Sequence, residues 1–289
     1  MKVLDLFSGI GGFSLGLERA GMETVAFCEI EKYPQKVLAK HWPNVPIYED
    51  VRELTYDRLK SDGISGIDVI CGGFPCQDIS VAGKQAGIGE GTRSGLWSEC
   101  ARLVREIRPK YAIFENVTAL LSGEQGRWFQ RVLFDLSEIG YDAEWHCISA
   151  SDIGAHHHRD RVWIVVYPNE TFAEGGRLSG RIQQELANTY GRSVDWCAQH
   201  NVADTFVFGQ QGQGESRPPI NKKAVADWEA AKSVNGCIGE IWQTESRVGR
   251  VVDGIWKASY GHRLAALGNA VVPQIPELIG RAIMAVENA

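Results

Sequence analysis

The chain opens on a short apolar run, VLDLF, broken by glycines, and short apolar runs then alternate with helix-period stretches through residue 168. Runs over 3–7, 24–30, 68–73, 111–117, 141–149 and 161–167 are rich in Val, Ile, Phe and Tyr. Several lack polar alternation, which predicts strands covered on both faces. Between them, residues 13–20, 33–40, 96–108 and 128–139 carry apolar side chains at helical spacing. This order predicts an α/β fold with a largely parallel, doubly wound sheet. Ligands of such sheets sit outside the carboxyl ends of the strands. The loops after Phe7, Ile30, Gly73 and Val117 should therefore ring one crevice.

The rhythm stops near residue 168. Residues 169–253 are rich in Gly, Gln, Asn and Trp, with a loop-like GQQGQGESRPP segment at 209–219. They predict a second, smaller and irregular domain, with Trp196, Trp228 and Trp242 in its core. Helical patterning returns over 262–267 and 275–287, flanking GNAVVPQ. The expected division is 1–168 plus 254–289 as one domain and 169–253 as the other.

Composition narrows the class. Seven cysteines without a CxxC pair form neither a disulfide framework nor a zinc site, and they suit a reducing cytoplasm. His156, His157 and His158 alternate faces if extended, so they cannot converge on one ion, and no metal is expected. No run of about 18 apolar residues is present, so no membrane span is expected. The first 21 residues superficially resemble a signal sequence, but Glu18, Arg19 and the glycines mark folded structure. A net charge of −6 argues mildly against a polyanionic partner, yet a local basic face is compatible with it.

Candidate chemistry lies at the predicted strand ends. In DLFSGIGGFSLGLERAG, Gly9, Gly11 and Gly12 join a strand to a helix and let a ligand approach the backbone. The phosphate-loop pattern is absent and the dinucleotide fingerprint fits poorly. Glu29 ends the next strand, where a carboxylate can accept ribose hydroxyls, and Asp50 can accept from an adenine amino group. Together these favour an adenosine-containing cofactor. DVICGGFPCQDIS then places Cys76 on a loop stiffened by Gly and Pro, which makes it a nucleophile candidate. FENV offers Glu115 and Asn116 at the same edge, completing an acid and nucleophile pair.

These motifs resemble the DNA cytosine-5 methyltransferases over roughly the first 168 and last 30 residues. DLFSGIGGF is similar to their first motif, GFPCQ to the catalytic loop, GLW to the fifth and ENV to the sixth. HRDR and GNAVVPQ are similar to the eighth and tenth. The resemblance implies a Rossmann-like methyltransferase fold with S-adenosyl-L-methionine as cofactor and a cytosine flipped out of double-stranded DNA as substrate. It implies Cys76 as the nucleophile on C6 and Glu115 as the N3 partner, with Pro75 and Asn116 shaping the loop. Arg161 would orient Glu115 or the flipped nucleotide, and Arg159 would add charge. Phe7 would pack on adenine, with Ser8, Gly9, Ile10, Gly11 and Gly12 around the cofactor. Glu29, Ile30, Asp50, Val51, Phe74, Leu96, Asn269, Ala270 and Val271 would complete that pocket. Residues 83–95, with Lys84 and Arg93, would close over DNA, and 169–253 would be the target-recognition domain.

Two departures stand out. Where many members carry Gln-x-Arg-x-Arg, this chain has His157-His158-Arg159-Asp160-Arg161, and ESRVGRVVDGI, a phage-type variant, stands in place of the ninth motif. The implied protein is a monomer, with a cognate restriction endonuclease left open as a partner. Two other readings stay open: a tRNA cytosine-5 methyltransferase, whose marker sequence is missing here, and a decayed homologue that only binds DNA.

Overall fold

A computed structural model describes residues 1–75, 95–171, 178–190 and 257–288. Strands β1 (Lys2–Leu6), β2 (Glu23–Cys28), β3 (Ile47–Tyr48), β4 (Val69–Gly73), β5 (Tyr111–Val117), β6 (Tyr141–Ile148) and β7 (Arg161–Pro168) form one sheet. Its order is β3-β2-β1-β4-β5-β7-β6. β7 runs antiparallel to both neighbours, and the other described pairings are parallel. The connecting helices are α1 (Gly12–Arg19), α2 (Lys32–His41), α3 (Tyr56–Ser61), α4 (Leu96–Ile107), α5 (Ala119–Ser122) and α6 (Arg127–Glu138). Three more follow: α7 (Leu178–Tyr190), α8 (Lys257–Asn269) and α9 (Gln274–Glu287).

The uninterrupted apolar strands follow from two cores, one on each face of the sheet. In β4 and β5, Ile70, Ala112 and Phe114 join α4 and α6 in the first core. Their chain neighbours Val69, Cys71, Tyr111 and Ile113 join α1, α7 and α9 in the second. Because successive side chains point to opposite faces, a strand covered twice is apolar at successive positions, save where a polar group such as Asp5 or Asn116 has its own partner.

Two features depart from the expected pattern. The reversal of β7 pairs Arg161 with Val117, so the start of β7 lies at the carboxyl edge of β5. The sheet is largely parallel as expected, and the direction of β7 is a detail that apolar patterning does not encode. Second, the irregular stretch expected from residue 169 contains helix α7. Leu178, Ile182 and Leu186, on one helical stripe, are buried in the second core. The α7 N-terminus is capped by the Glu144 carboxylate of β6. It accepts from the Leu178 and Ser179 amides at 3.1 and 2.8 Å, and from the Tyr167 hydroxyl at 2.6 Å.

The far end of the chain returns to α1. A Cβ on Gly16 would lie 2.2 Å from the Pro273 carbonyl oxygen, and one on Gly12 2.5 Å from that of Val271. Only glycine permits this approach. Beneath the same helix, fully buried Asp5 accepts from the Ser14 hydroxyl at 2.7 Å through its carboxylate, and from Ser8 at 2.6 Å through its carbonyl. Asp5 thus ties down both ends of the turn that joins β1 to α1.

Burial pushes the Asp5 carboxyl from 3.8 up to about 7, against the opposing hydrogen bond from Ser14. The native state then holds this proton to higher pH than the unfolded chain does. Stability should therefore fall as pH rises from 3.8 to about 7 and level off above. Asp5→Asn keeps an acceptor for Ser14 and carries no charge. Relative to wild type it should gain stability between about pH 4 and about pH 8, by on the order of a few kcal/mol. Denaturant midpoints for both proteins across that range test this, and parallel curves would remove Asp5 as the titrating group.

Candidate active site and cofactor cleft

The candidate residues follow the strand order along one sheet edge: Asp50 past β3, Glu29 past β2, residues 7–12 past β1, Phe74 and Pro75 past β4, Glu115 and Asn116 in β5, and Arg161 opening β7. After β1 the chain turns sharply, with positive φ at Phe7 (51°), Gly9 (54°) and Gly11 (86°). Phe7 pays a conformational cost there that glycine does not. The Ser8 amide donates to the Cys28 carbonyl at 3.1 Å, which fixes the turn to β2. Gly11 lies against the Trp42 ring, 2.6 Å from where a Cβ would sit. Nothing among the described residues lies within 4 Å of a Cβ placed on Gly9, so the turn's outer side is open.

Glu29 is buried beside that turn. One carboxylate oxygen accepts from the Gly9 amide and the other from the Glu31 amide, both at 2.7 Å. Burial raises its pKa, opposed by those two amides. The next residue, Ile30, is 58% exposed. A buried acceptor beside an exposed apolar side chain and an open glycine turn suits a ribose with its base, so these residues fit an adenosine-containing cofactor. Asp50 is held by Arg52, whose side chain reaches both carboxylate oxygens at 2.6–3.1 Å and lowers the Asp50 pKa. Val51 is buried, and Leu96, opening α4, packs partly buried on the first core. Phe74 is buried against Trp97 and Phe114, with ring centroids 5.1 and 6.4 Å away. Asn269 ends α8 and is exposed, and Ala270 and Val271 lead the chain onto Gly12.

The second cluster lies past β4 and β5. Glu115 pairs in register with Gly73, where a Cβ would come within 3.0 Å of the Glu115 carboxylate, so the glycine leaves room for it. Arg161 Nε meets Glu115 Oε1 at 2.9 Å, and both side chains are largely buried. Desolvation raises the Glu115 pKa, while Arg161 and then Arg159 oppose the rise. Asn116, itself buried, donates to the Phe74 carbonyl at 3.1 Å, bracing the chain one residue before Pro75. Arg159 donates to the Gly268 carbonyl at 2.7 Å, joining this cluster to the returning chain end.

Cys76 lies outside the described residues, as do Lys84 and Arg93 and most of the segment expected to recognise the target. Among the described cysteines, Cys28, Cys71 and Cys100 are buried, and burial raises all three thiols, that of Cys28 to about 12. None of these three is a thiolate at neutral pH. Trp42 and Arg102 lie outside every quoted motif, and Asp5 and Ser14 lie inside DLFSGIGGFSLGLERAG with no role of their own read from it. Asp5 alone carried a signal, as a charge inside an apolar strand.

Arg161 is the nearest positive charge on Glu115. Arg161→Gln should raise the Glu115 pKa further, because it removes a lowering influence and leaves the burial. Carboxyl carbon NMR titration reads this directly; an unchanged or lower value would show that the ion pair does not control the acid.

The sequence profile of the C-5 cytosine-specific DNA methylase family matches residues 1–235. The Type II methyltransferase M.Eco47II of Escherichia coli is 37% identical over 216 residues, covering 73% of this chain and 49% of that protein. M.HhaI of Haemophilus parahaemolyticus is 34% identical over 170 residues, 59% of this chain and 50% of its own. The chain spans about half the length of the curated relatives it matches. A solved structure described as a DNA modification methyltransferase encoded within an E. coli prophage shares the fold, with a TM-score of 0.63 at 20% identity over 100% of both chains. Family and fold imply S-adenosylmethionine as the cofactor. With the profile spanning most of its length, the chain belongs to the C-5 cytosine-specific DNA methylase family.

Proposed function

We propose that the chain is a DNA cytosine-5 methyltransferase acting on a cytosine flipped out of a specific duplex sequence. The observation that carries this reading is the buried Glu115 carboxyl, its pKa raised by desolvation, 2.9 Å from Arg161 and beside the braced Phe74–Pro75 turn. Cytosine C5 is a weak nucleophile, and the ring must become electron-rich before it reacts. The Cys76 thiolate adds to C6 while Glu115 gives a proton to N3, which leaves an enamine with its electron density at C5. S-adenosylmethionine, when bound, supplies the electrophilic methyl group that C5 accepts. A water molecule takes the C5 proton, the C5–H electron pair forms the C5–C6 double bond and the Cys76 thiolate leaves C6, while N3 returns its proton to Glu115. Arg161 steadies the carboxylate that forms in between, and Arg159 adds positive charge beside it.

Glu29 would accept from the cofactor ribose, Asp50 from its adenine amino group, and Phe7 and Ile30 would pack on the base. Ser8, Gly9, Ile10, Gly11 and Gly12, with Val51, Phe74, Leu96, Asn269, Ala270 and Val271, would line the remaining wall. Residues 169–253, apart from the α7 helix, would form the target-recognition region of a monomer working in the cytoplasm. A cognate endonuclease would make the enzyme one half of a restriction–modification pair.

A duplex carrying 5-fluorocytosine at the target should trap wild-type protein covalently, since fluorine cannot leave as a proton does. Cys76→Ala should form no adduct while still binding cofactor; full turnover by this variant would end the mechanism. Glu115→Gln keeps the shape without the proton and should lower the methylation rate roughly 100-fold or more, with little change in cofactor affinity. Exchanging residues 191–253 for those of a relative of known specificity should transfer the methylated sequence. A chimera that still modified the original site would place recognition elsewhere.

A further inference from the structure

We infer that Arg102 is a positioning residue for the adenine end of the cofactor pocket, acting through the turn that carries Asp50. The inference rests on the assignment of Asp50 to the adenine amino group proposed above. Arg102 projects from α4, the helix that Leu96 opens, and uses three nitrogens on four partners. Its Nε donates to Glu99 at 2.7 Å and its Nη1 to Glu106 at 2.8 Å, both on its own helix. Its Nη2 donates to the carbonyls of Val51 and Leu54, at 2.9 and 2.8 Å. The turn is therefore gripped at two points 48 and 51 residues away in sequence.

Several features make this grip specific to the turn. Val51 and Leu54 side chains are buried at 4% and 1% exposure, so the turn is anchored by apolar packing below and by the guanidinium on its carbonyls. The Asp50 carbonyl accepts from the Glu53 and Leu54 amides at 3.1 and 3.2 Å, so Asp50 belongs to the same small hydrogen-bonded unit. Glu106 also accepts from the Tyr56 amide at 3.1 Å, which fixes the start of α3 to the same cluster. Arg52, by contrast, holds Asp50 from an exposed position within the turn itself and cannot tie it to the rest of the fold. A planar guanidinium serves two carboxylates and two carbonyls at once. The single ammonium of lysine cannot reproduce that fork.

β3, the strand leading into this turn, is only two residues long and lies at the sheet edge. It gives the turn little rigidity of its own, so the brace must come from outside. Movement of the turn would shift Asp50 while leaving Glu29, which is held by the Gly9 and Glu31 amides, in place. Loss of Arg102 should thus affect recognition of the adenine amino group more than binding of the ribose.

The test compares calorimetric binding of S-adenosylhomocysteine with that of S-inosylhomocysteine, whose base has a carbonyl where adenine has its amino group. The full chain is used as wild type, Asp50→Ala, Arg102→Lys, Arg102→Gln, and Asp50→Ala combined with Arg102→Lys. Glu99→Gln with Glu106→Gln is a milder probe that loosens the arginine without removing it. Wild type should prefer the adenine ligand by roughly tenfold or more, the scale of one charged hydrogen bond. Asp50→Ala should abolish that preference. Arg102→Lys and Arg102→Gln should reduce it at least about threefold with the inosine ligand bound within about twofold of wild type, and the glutamine pair should reduce it less. The combined variant should match Asp50→Ala alone, as expected of two residues acting through one contact. An equal loss for both ligands, or an intact preference in the Arg102 variants, would overturn the positioning role while leaving Asp50 in place. A wild type without preference, or one that Asp50→Ala leaves unchanged, would overturn the Asp50 assignment and this inference with it.

Discussion

The close approach of the chain's last segment to α1 is the constraint on which the rest depends. Gly12 and Gly16 leave no side chain between α1 and the backbone at Val271 and Pro273. A methyl group at either position would have to displace a carbonyl oxygen. That contact seats α9 on α1, and the residues just before it bring the Gly268 carbonyl to Arg159. Arg159 in turn helps to hold down the Glu115 pKa. A packing contact on one face of the sheet is thereby linked to the acid at its edge. The same helix α1 carries Ser14 onto Asp5, so both ends of the glycine turn depend on where α1 lies.

Three buried carboxyls at this edge share one cause of perturbation and differ in what opposes it. Desolvation is the largest influence on Asp5, Glu29 and Glu115 alike. Asp5 meets the Ser14 hydroxyl, a neutral donor, and its pKa rises to about 7. Glu29 meets two backbone amides, fixed dipoles that point at an acceptor and leave it able to receive further hydroxyls. Glu115 meets a guanidinium, so of the three it is the one opposed by a full positive charge. That arrangement suits a group that must both hold and release a proton, because the neutral and charged forms are each supported by something permanent. Their partners thus suit Asp5 to a structural tie, and Glu29 and Glu115 to the proposed roles of hydroxyl acceptor and acid.

Much of this was legible in the sequence. The β5 strand was bounded as it stands, and α1, α2, α4 and α6 were placed within a residue at either end, because both faces of the sheet demand apolar residues. The family was legible from Cys76, Glu115 and the glycine turn, since chemistry fixes residue type at those points. What stayed hidden depends on direction and on distant partners. The reversal of β7 leaves no trace in apolar periodicity, and the cap of α7 comes from Glu144 on another element. Arg102 looked like one more charge on an amphipathic helix, because the carbonyls it holds lie about fifty residues earlier.

The sheet order adds one further step. Sequence order runs outward from β1 through β2 to β3 in one direction, and from β4 to β5 in the other. Consequently α1 leaves β1 toward the second core, while α4 arrives on the first core, on the opposite face. Ligands of such open sheets bind at the strand ends beside a switch of this kind, here between β1 and β4. The proposed cofactor residues Asp50, Glu29 and Phe7–Gly12 lie on its β1 side, and Phe74, Pro75 and Glu115 on its β4 side. Under the proposed function Glu29 and the glycine turn would hold the methyl donor, Phe74 would add to its wall, and Glu115 would meet the cytosine, so the two would come together at this switch. Under the proposed function Arg102 would brace the adenosine end, and Asn116 and Arg161 the end that carries the acid. Because Arg102 and Arg161 hold different strand ends, a change in the proposed adenine grip would leave the Glu115–Arg161 pair in place.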